Sequence, residues 1–482
     1  MGRQPTIVIS SAQVAVDLLE KRSNIYSSRP RFVVMGELYL GNDSTLVMPY
    51  GEKWRKHRKL LHSGLMQKAA HSYRPVQELE SKRLMWDFYT KPEQFLEAIE
   101  RYTASVTLML AFGRRVDTLG DPLVNAVTER NRFMASINVY VPLITPTASF
   151  SCPQYSRAAA DSSPGRYLAE SFPVLKYVPE VIAPWKAEVL RMADEGFHLF
   201  WDQCQMVRKK MLAGTAPTCF SAHIWNVKDE YELTDREVAF NTGSLFGAGS
   251  DTSAASLQSF FLAMTAFGKE VLPRAWEELD RVIGKDRPPT WSDEAELPYI
   301  RAIVKETLRW RPVAVLGGQP HASIKDDTYN GYFIPKGATM LSNLWAIHSN
   351  PSDFPQPNHF RPERYLDGSL AHYPQSQGHS SFGWGRRVCP GQLVAEQGLF
   401  ISIARILWGF KISPAIDKKT GKKIPVDIFA YTDGFNSKPL PFKCRIQSRG
   451  DTYVEIMRRE YEEALQALQK YEATDDEAGI KA

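Results

Sequence analysis

One cysteine stands in a setting that could do chemistry: Cys389, in the run Phe382-Gly-Trp-Gly385-Arg-Arg387-Val-Cys389-Pro-Gly391. A cysteine acts as a nucleophile or metal ligand through its thiolate, so its surroundings must favour the anion. Apolar-periodic residues from Pro390 to Phe410 predict a helix that begins at the cysteine, with Pro390 in the first helical position. The dipole and free N–H groups at that end would stabilise a sulfur anion. Gly385 allows a tight turn ahead of it. The bland reading of an isolated cysteine is a buried structural thiol.

A second constellation is Ala248-Gly249-Ser250-Asp251-Thr252. A hydroxyl that holds a water, backed by a carboxylate, makes a proton relay. Taken alone, these residues read equally well as a polar patch on a helix. Glu306-Thr-Leu-Arg309 places an acid and a base on one helix face, a spacing that usually means a surface ion pair. Trp54 and Arg58 put an indole N–H and a guanidinium on one face of a basic helix, or simply a core Trp beside a surface Arg. His321, in Gly318-Gln-Pro-His321-Ala, reads by itself as a turn histidine.

These residues need a helical frame. Thr234-x-x-Glu237 is a capping box opening a long helix expected to end near Phe267, where Gly268 stops it; its length would be roughly 50 Å. The weak helix formers Gly247 to Ser253 fall in its middle, a local conflict of the kind that marks functional sites. Further helices are predicted over Ala12 to Lys21, Glu52 to Met66, Pro75 to Phe112, Phe172 to Met211, Lys269 to Ile283 and Pro298 to Trp310. Pro5 to Ser10 reads as a strand, Asp326 to Met340 as a hairpin around Asn330-Gly331, and Pro425 to Ile446 as β-like. Asp451 to Thr474 reads as a charged, solvated helix.

In order and spacing these pieces resemble the cytochrome P-450 family. The cysteine loop matches the family's FxxGxRxCxG pattern at all five defined positions, a coincidence expected in roughly one chain per ten thousand. AGSDT is similar to the AGxDT motif of the oxygen-binding helix. Glu306-Thr-Leu-Arg309 matches ExxR, and Phe360-Arg-Pro-Glu-Arg364-Tyr resembles the PERF segment. The resemblance implies a mainly α fold with a small β-rich part, and haem b (iron protoporphyrin IX) between the long distal helix and the Cys-loop helix. Cys389 would be the axial metal ligand; a thiolate there favours O–O cleavage. Asp251 and Thr252 would be catalytic, Thr252 toward oxygen and Asp251 toward a solvent channel. Cofactor contacts would come from Trp54, Arg58, His321 and Arg387 to the propionates. Ala248, Gly249, Phe382, Gly385 and Gly391 would line the porphyrin, Gly249 also letting the distal helix open locally. Glu306, Arg309 and Arg364 would form a structural cluster under the Cys loop.

The implied activity is a monooxygenase that inserts one atom of O2 into a small apolar substrate. Its electrons would come from an NADPH-dependent flavin reductase docking on Lys53, Arg55, Lys56 and Lys59. Pocket walls would come from Phe32 to Leu46, the region after Gly165, Phe240 to Ala248, Val313 to Gly318 and Thr432 to Phe435. LPYIRAIVKETLRWRPV and DDTYNGYFIPKGA resemble fungal microsomal members of secondary metabolism, close to those termed O-methylsterigmatocystin oxidoreductase-like. Such members face the cytosol at the endoplasmic reticulum. Two other readings stay open: a peroxide-using haem-thiolate isomerase or dehydratase, which would not need Asp251 and Thr252, and an inactive truncated haem-binding product.

The chain departs from the family pattern in two places. It starts at what resembles the family's second strand, without a membrane anchor, so Pro5 to Ser10 would be short of a partner. Residues 139–163 form an atypical insertion that reads as a loop, and a translated intron would explain it. The expected organisation is one domain over 1–446 and a helical tail over 447–482.

Bulk composition agrees. The 482 residues are 43% hydrophobic and 23% charged, with net charge +5, a globular balance and not the concentrated basic face of a nucleic-acid binder. The five cysteines are scattered and odd in number, with no CxxC pair, which argues against a disulfide framework or a structural zinc site. No apolar run is long enough to cross a bilayer.

Overall fold

The computed structural model describes residues 5–66, 68–137 and 167–472; the insertion expected over 139–163 lies outside them. Helices α1 (Glu52–Leu65), α2 (Arg74–Thr90), α3 (Phe95–Phe112), α4 (Pro122–Ser136), α5 (Pro184–Leu212), α6 (Phe220–Val227), α7 (Asp235–Val282), α8 (Pro298–Trp310), α9 (Gln392–Gly409) and α10 (Asp451–Leu468) carry most of it. Small sheets use β1 (Thr6–Ile9), β2 (His321–Ala322), β3 (Asp327–Tyr329), β4 (Tyr332–Ile334), β5 (Thr339–Ser342), β6 (Phe410–Pro414) and β7 (Cys444–Ser448). The mainly α expectation holds.

Helix α7 is the spine. Its start follows the capping box: Glu237 N–H donates to Thr234 Oγ1 at 3.2 Å and Thr234 N–H to the Glu237 carboxylate at 3.0 Å. Its end does not follow the sequence signals. The helix runs through Gly268 and Pro273 to Val282, so the separate helix expected from Lys269 is part of it. A Cβ at Gly268 would stand 3.2 Å from Leu272 and 3.5 Å from the carbonyl oxygen of Ile412 on β6. That glycine admits a neighbouring strand instead of ending a helix. Burial of Val271, Leu272 and Ala275 outweighs the local stop signal, as packing routinely outweighs propensity.

Strand β1 has the partner the sequence left in doubt. It pairs in parallel with β5, Thr6 opposite Thr339 and Ile9 opposite Ser342, and β2 flanks β5 on the other side. The β3–β4 hairpin turns through Asn330 and Gly331, with φ of 50° and 82°, the left-handed pair of a two-residue turn. Residues 425–443 are largely irregular rather than β-like, with one bridge between Tyr431 and Pro439. Helix α10 buries Ile456, Met457, Ala464 and Leu468, and its Glu460 pairs with Arg405 of α9 at 3.1 Å and Lys82 of α2 at 3.2 Å. One face of the expected solvated tail is therefore packed against the body of the molecule.

Candidate active site

Cys389 sits on a closed loop. Its backbone N–H donates to the Phe382 carbonyl at 2.8 Å. Helix α9 begins at Gln392 behind Gly391, so Pro390 lies in the preceding turn and not in the first helical position. Gly385 takes φ of +55°, and a Cβ there would stand 2.3 Å from the carbonyl oxygen of Leu19. Both the dihedral and the contact demand glycine. Gly385→Ala is expected to destabilise the protein by about 1–3 kcal/mol, read as a lower denaturation midpoint at unchanged slope. At Gly391 a Cβ would meet Cys389 Sγ at 3.9 Å, an ordinary contact.

Burial pushes the Cys389 thiol up; the Gly391 N–H and the Arg58 guanidinium pull the other way without prevailing. The Gly391 N–H favours the anion, as expected of this helix end, but burial outweighs it. A metal cation would make the sulfur an anion by displacing the proton. Among the described residues no group of three or more His, Cys, Asp or Glu could hold a metal. An iron at Cys389 would therefore bring its remaining ligands with it, as a porphyrin does.

Beside the sulfur is a cluster of cations with no anion among the described residues. Arg58, one turn after Trp54 on α1, forms no hydrogen bond or ion pair among the described residues, and burial lowers its pKa. Arg387 donates to the carbonyls of Ser27, Thr45 and Met48 at 2.7, 3.0 and 2.8 Å and lies 4.3 Å over the Trp54 ring. Burial, with Arg29 and Arg58 nearby, pushes it down to about 8. Arg29, absent from the sequence reading, is pushed down to about 9 by burial and donates to the carbonyls of Leu46, Gln319 and Pro320. Its one local signature is the following Pro30, which holds it extended. No carboxylate pairs with any of the three among the described residues. Buried charges are normally paired, so this corner calls for an anion, and the two propionates of haem fit it. Arg29→Met should speed haem loss by about 10- to 100-fold, the value of one hydrogen bond to a charged group, measured by transfer of haem to an excess of apomyoglobin.

His321, on β2, is fully enclosed. Its Nδ1–H donates to the Tyr26 carbonyl at 2.8 Å, and burial, reinforced by Arg29, holds it well below the ordinary range. The ring is neutral and its Nε2 is an acceptor. It stands beside Arg29 and Arg387 in the corner where the resemblance places a propionate contact.

The distal side lies on α7. Phe246 and Ala254 to Thr265 are buried, whereas Gly247 to Ser253 are half-buried or exposed, an open window in the middle of an enclosed helix. Ala248 and Asp251 are its most accessible members. Asp251 Oδ2 accepts from Asn131 Nδ2 on α4 at 3.4 Å, and the same amide donates to the Gly247 carbonyl at 3.1 Å. Although accessible from this window, Asp251 is surrounded by protein. Desolvation pushes its carboxyl up, opposed by Lys438 and Asn131. Thr252 Oγ1 donates to the Ala248 carbonyl at 2.8 Å. The helix is unbroken here, so the local opening expected at Gly249 is not seen. A Cβ at 249 would stand 2.8 Å from Thr107 Cγ2, so this glycine serves the close crossing of α7 and α3.

Two networks hold these pieces. Glu306 chelates Arg309 at 2.7 and 2.8 Å and accepts from Arg364 Nε at 3.2 Å, the cluster expected from the sequence. Arg309 also donates to the His348 carbonyl at 2.8 Å, and His348 Nε2 accepts from the backbone N–H of Ser380 at 2.9 Å. His348 thus links the cluster to the Cys loop, a role no local pattern revealed. On the other side, His57 Nε2–H donates to Glu237 at 2.9 Å while its Nδ1 accepts from Asn241 at 3.1 Å. That bridge fixes the rotation of α1, hence of Trp54 and Arg58, against α7.

Comparison with known proteins gives a consistent result. A family profile described as Cytochrome P450 matches residues 1–429. Cytochrome P450 monooxygenase fogE of Aspergillus ruber is 36% identical over 475 residues, covering 97% of this chain and 83% of that protein. Cytochrome P450 monooxygenase claR of Ampulloclitocybe clavipes is 36% identical, with 94% and 80% covered. Among solved structures, a zebra fish cytochrome P450 with progesterone superposes with a TM-score of 0.70 at 22% identity, over 93% of this chain and 95% of that one.

Proposed function

This chain belongs to the cytochrome P450 family, and from that premise we propose that it oxidises a small, largely apolar organic molecule with O2, drawing electrons from an NADPH-dependent flavin reductase. The family makes it an oxidoreductase of the monooxygenase class with a haem cofactor. The observation that carries the finer reading is the conjunction of the half-buried Cys389 thiol, three nearby arginines that pair with no carboxylate among the described residues, and an acid–alcohol window on α7. Bound at Cys389, the haem supplies oxygen activation.

The protein's own groups do the rest. Arg29, Arg58 and Arg387 seat the propionates. Thr252 and Asp251 hold and pass protons: the Thr252 hydroxyl sits at the window, and Asp251, with its raised carboxyl, takes protons from the Asn131 and Lys438 side. Asp251→Asn should lower turnover by about 10²- to 10⁴-fold, the usual worth of a placed proton donor, with ligand-binding spectra unchanged. A variant that keeps wild-type turnover would remove Asp251 from the relay.

The docking surface for the reductase is narrower than the basic helix suggested. Lys53 pairs with Asp43 at 2.6 Å, and Lys56 lies 3.4 Å from Glu237, so both charges are partly balanced by internal acids. Arg55 and Lys59, with Arg386 of the Cys loop, remain exposed and form the patch an acidic partner would meet. No helix among the described residues is long and apolar enough to cross a membrane. A site at the cytosolic face of the endoplasmic reticulum belongs to this proposal through the reductase. The test is reconstitution with NADPH and a flavin reductase. Reductase-dependent NADPH oxidation with oxygenated product is expected; peroxide-driven rearrangement without NADPH would favour the isomerase reading instead.

A further inference from the structure

A second unpaired cation lies on the distal side. Arg130, on α4, is 7% exposed. Among the described residues its guanidinium makes no hydrogen bond and no ion pair, and its Nε is enclosed without a partner. Aromatic faces surround it: Phe200 of α5 at 4.8 Å, Tyr39 at 5.7 Å and Phe240 of α7 at 5.9 Å. Rings attract a cation but do not satisfy its N–H groups. The nearby acid on α5, Glu195, is held by Arg191 at 2.5 Å.

The niche is built for this side chain. A Cβ at Gly196 would stand 3.1 Å from Arg130 Nε, and one at Gly247 would stand 4.0 Å from its terminal nitrogen. Two more polar atoms here, the Tyr39 hydroxyl and Asn131 Oδ1, are buried without partners among the described residues. Gly247 opens the accessible window of α7 and precedes Thr252 by about 7.5 Å of helical rise. The unpaired cation therefore borders the space in which a substrate would be oxidised. A buried guanidinium left without hydrogen-bond partners is costly, and a ligand carboxylate, which accepts from several donors at once, removes that cost.

We propose that the substrate is an apolar organic acid whose carboxylate pairs with Arg130 and accepts from the Tyr39 hydroxyl, its apolar body running along α7 toward Thr252. This rests on the monooxygenase reading and names the substrate class for it. The probes are dodecanoic acid and naphthalene-2-acetic acid, each beside its methyl ester, titrated calorimetrically into the haem-loaded protein. At least one acid should bind about 10- to 100-fold more tightly than its ester, the value of a hydrogen bond to a charged group. Arg130→Met should bring that acid down to the affinity of its ester and leave the ester within twofold; Tyr39→Phe should reduce the preference several-fold.

If neither acid outbinds its ester in the wild-type protein, or the preference survives Arg130→Met, the proposal is overturned. The reduced carbon monoxide spectrum, recorded on the same samples, keeps the two readings apart. Acid preference without a thiolate-type spectrum supports this site and counts against the monooxygenase reading. A thiolate-type spectrum without acid preference does the reverse.

Discussion

Cys389→Ser is expected to yield a folded protein whose reduced carbonyl complex lacks the red-shifted absorption of a thiolate ligand and whose NADPH-dependent turnover falls to background. The loop should survive the change, because it is closed by the backbone bond from residue 389 to Phe382. Gly385 and the carbonyl contacts of Arg387 are also untouched. Stability should therefore move by less than about 1 kcal/mol. The chemistry does not survive. Burial already raises the thiol at this position, and a hydroxyl, far less acidic, has no route to an anion there. An unaltered spectrum in the purified serine variant would remove the basis for assigning sulfur ligation.

Glu306→Ala should have the largest effect on folding. Glu306 and Arg364 are fully enclosed, and Arg309 is 1% exposed. Removing the acid strands two guanidiniums in the interior, a change that costs about 3–5 kcal/mol out of a total stability of roughly 5–15 kcal/mol. The damage should spread, because Arg309 holds His348 and His348 holds the backbone at Ser380, ahead of the cysteine. We expect low yield, a reduced haem-to-protein ratio and a much lower denaturation midpoint. Glu363, a neighbouring acid about one-third exposed, pairs with Arg274 at 3.5 Å and accepts from the Tyr299 hydroxyl at 2.8 Å; Glu363→Ala is the control and should cost about 1–2 kcal/mol. Equal effects of the two variants would mean that the cluster has no special role.

Each of these variants, and the Gly385, Arg29 and Asp251 changes, perturbs a different support of one site. Spectrum, haem retention and turnover should consequently separate. Loss of sulfur ligation alters the spectrum, loss of a propionate partner alters retention, and loss of the relay alters turnover alone.

The sequence by itself determined the elements whose signals are local. The capping box at Thr234, the Asn330-Gly331 turn, the ExxR pair and the spacing around Cys389 each depend on residues within a few positions of one another, and each is present in the folded chain. Tertiary structure decided the rest, because the deciding partners are distant in sequence. Gly268 and Pro273 look like a stop until β6 and the core pack against them. Cys389 looks ionised by a helix end until burial is weighed. His321 looks like a turn histidine until the fold encloses it and bonds its Nδ1 to the Tyr26 carbonyl. Nothing local marks Arg29 or Arg130 as an anion partner, and only the folded chain places the half-buried Arg29 and the buried Arg130 away from every carboxylate among the described residues. Local patterns report what the backbone prefers; whether a charge is paired, or a thiol desolvated, depends on groups brought together by folding.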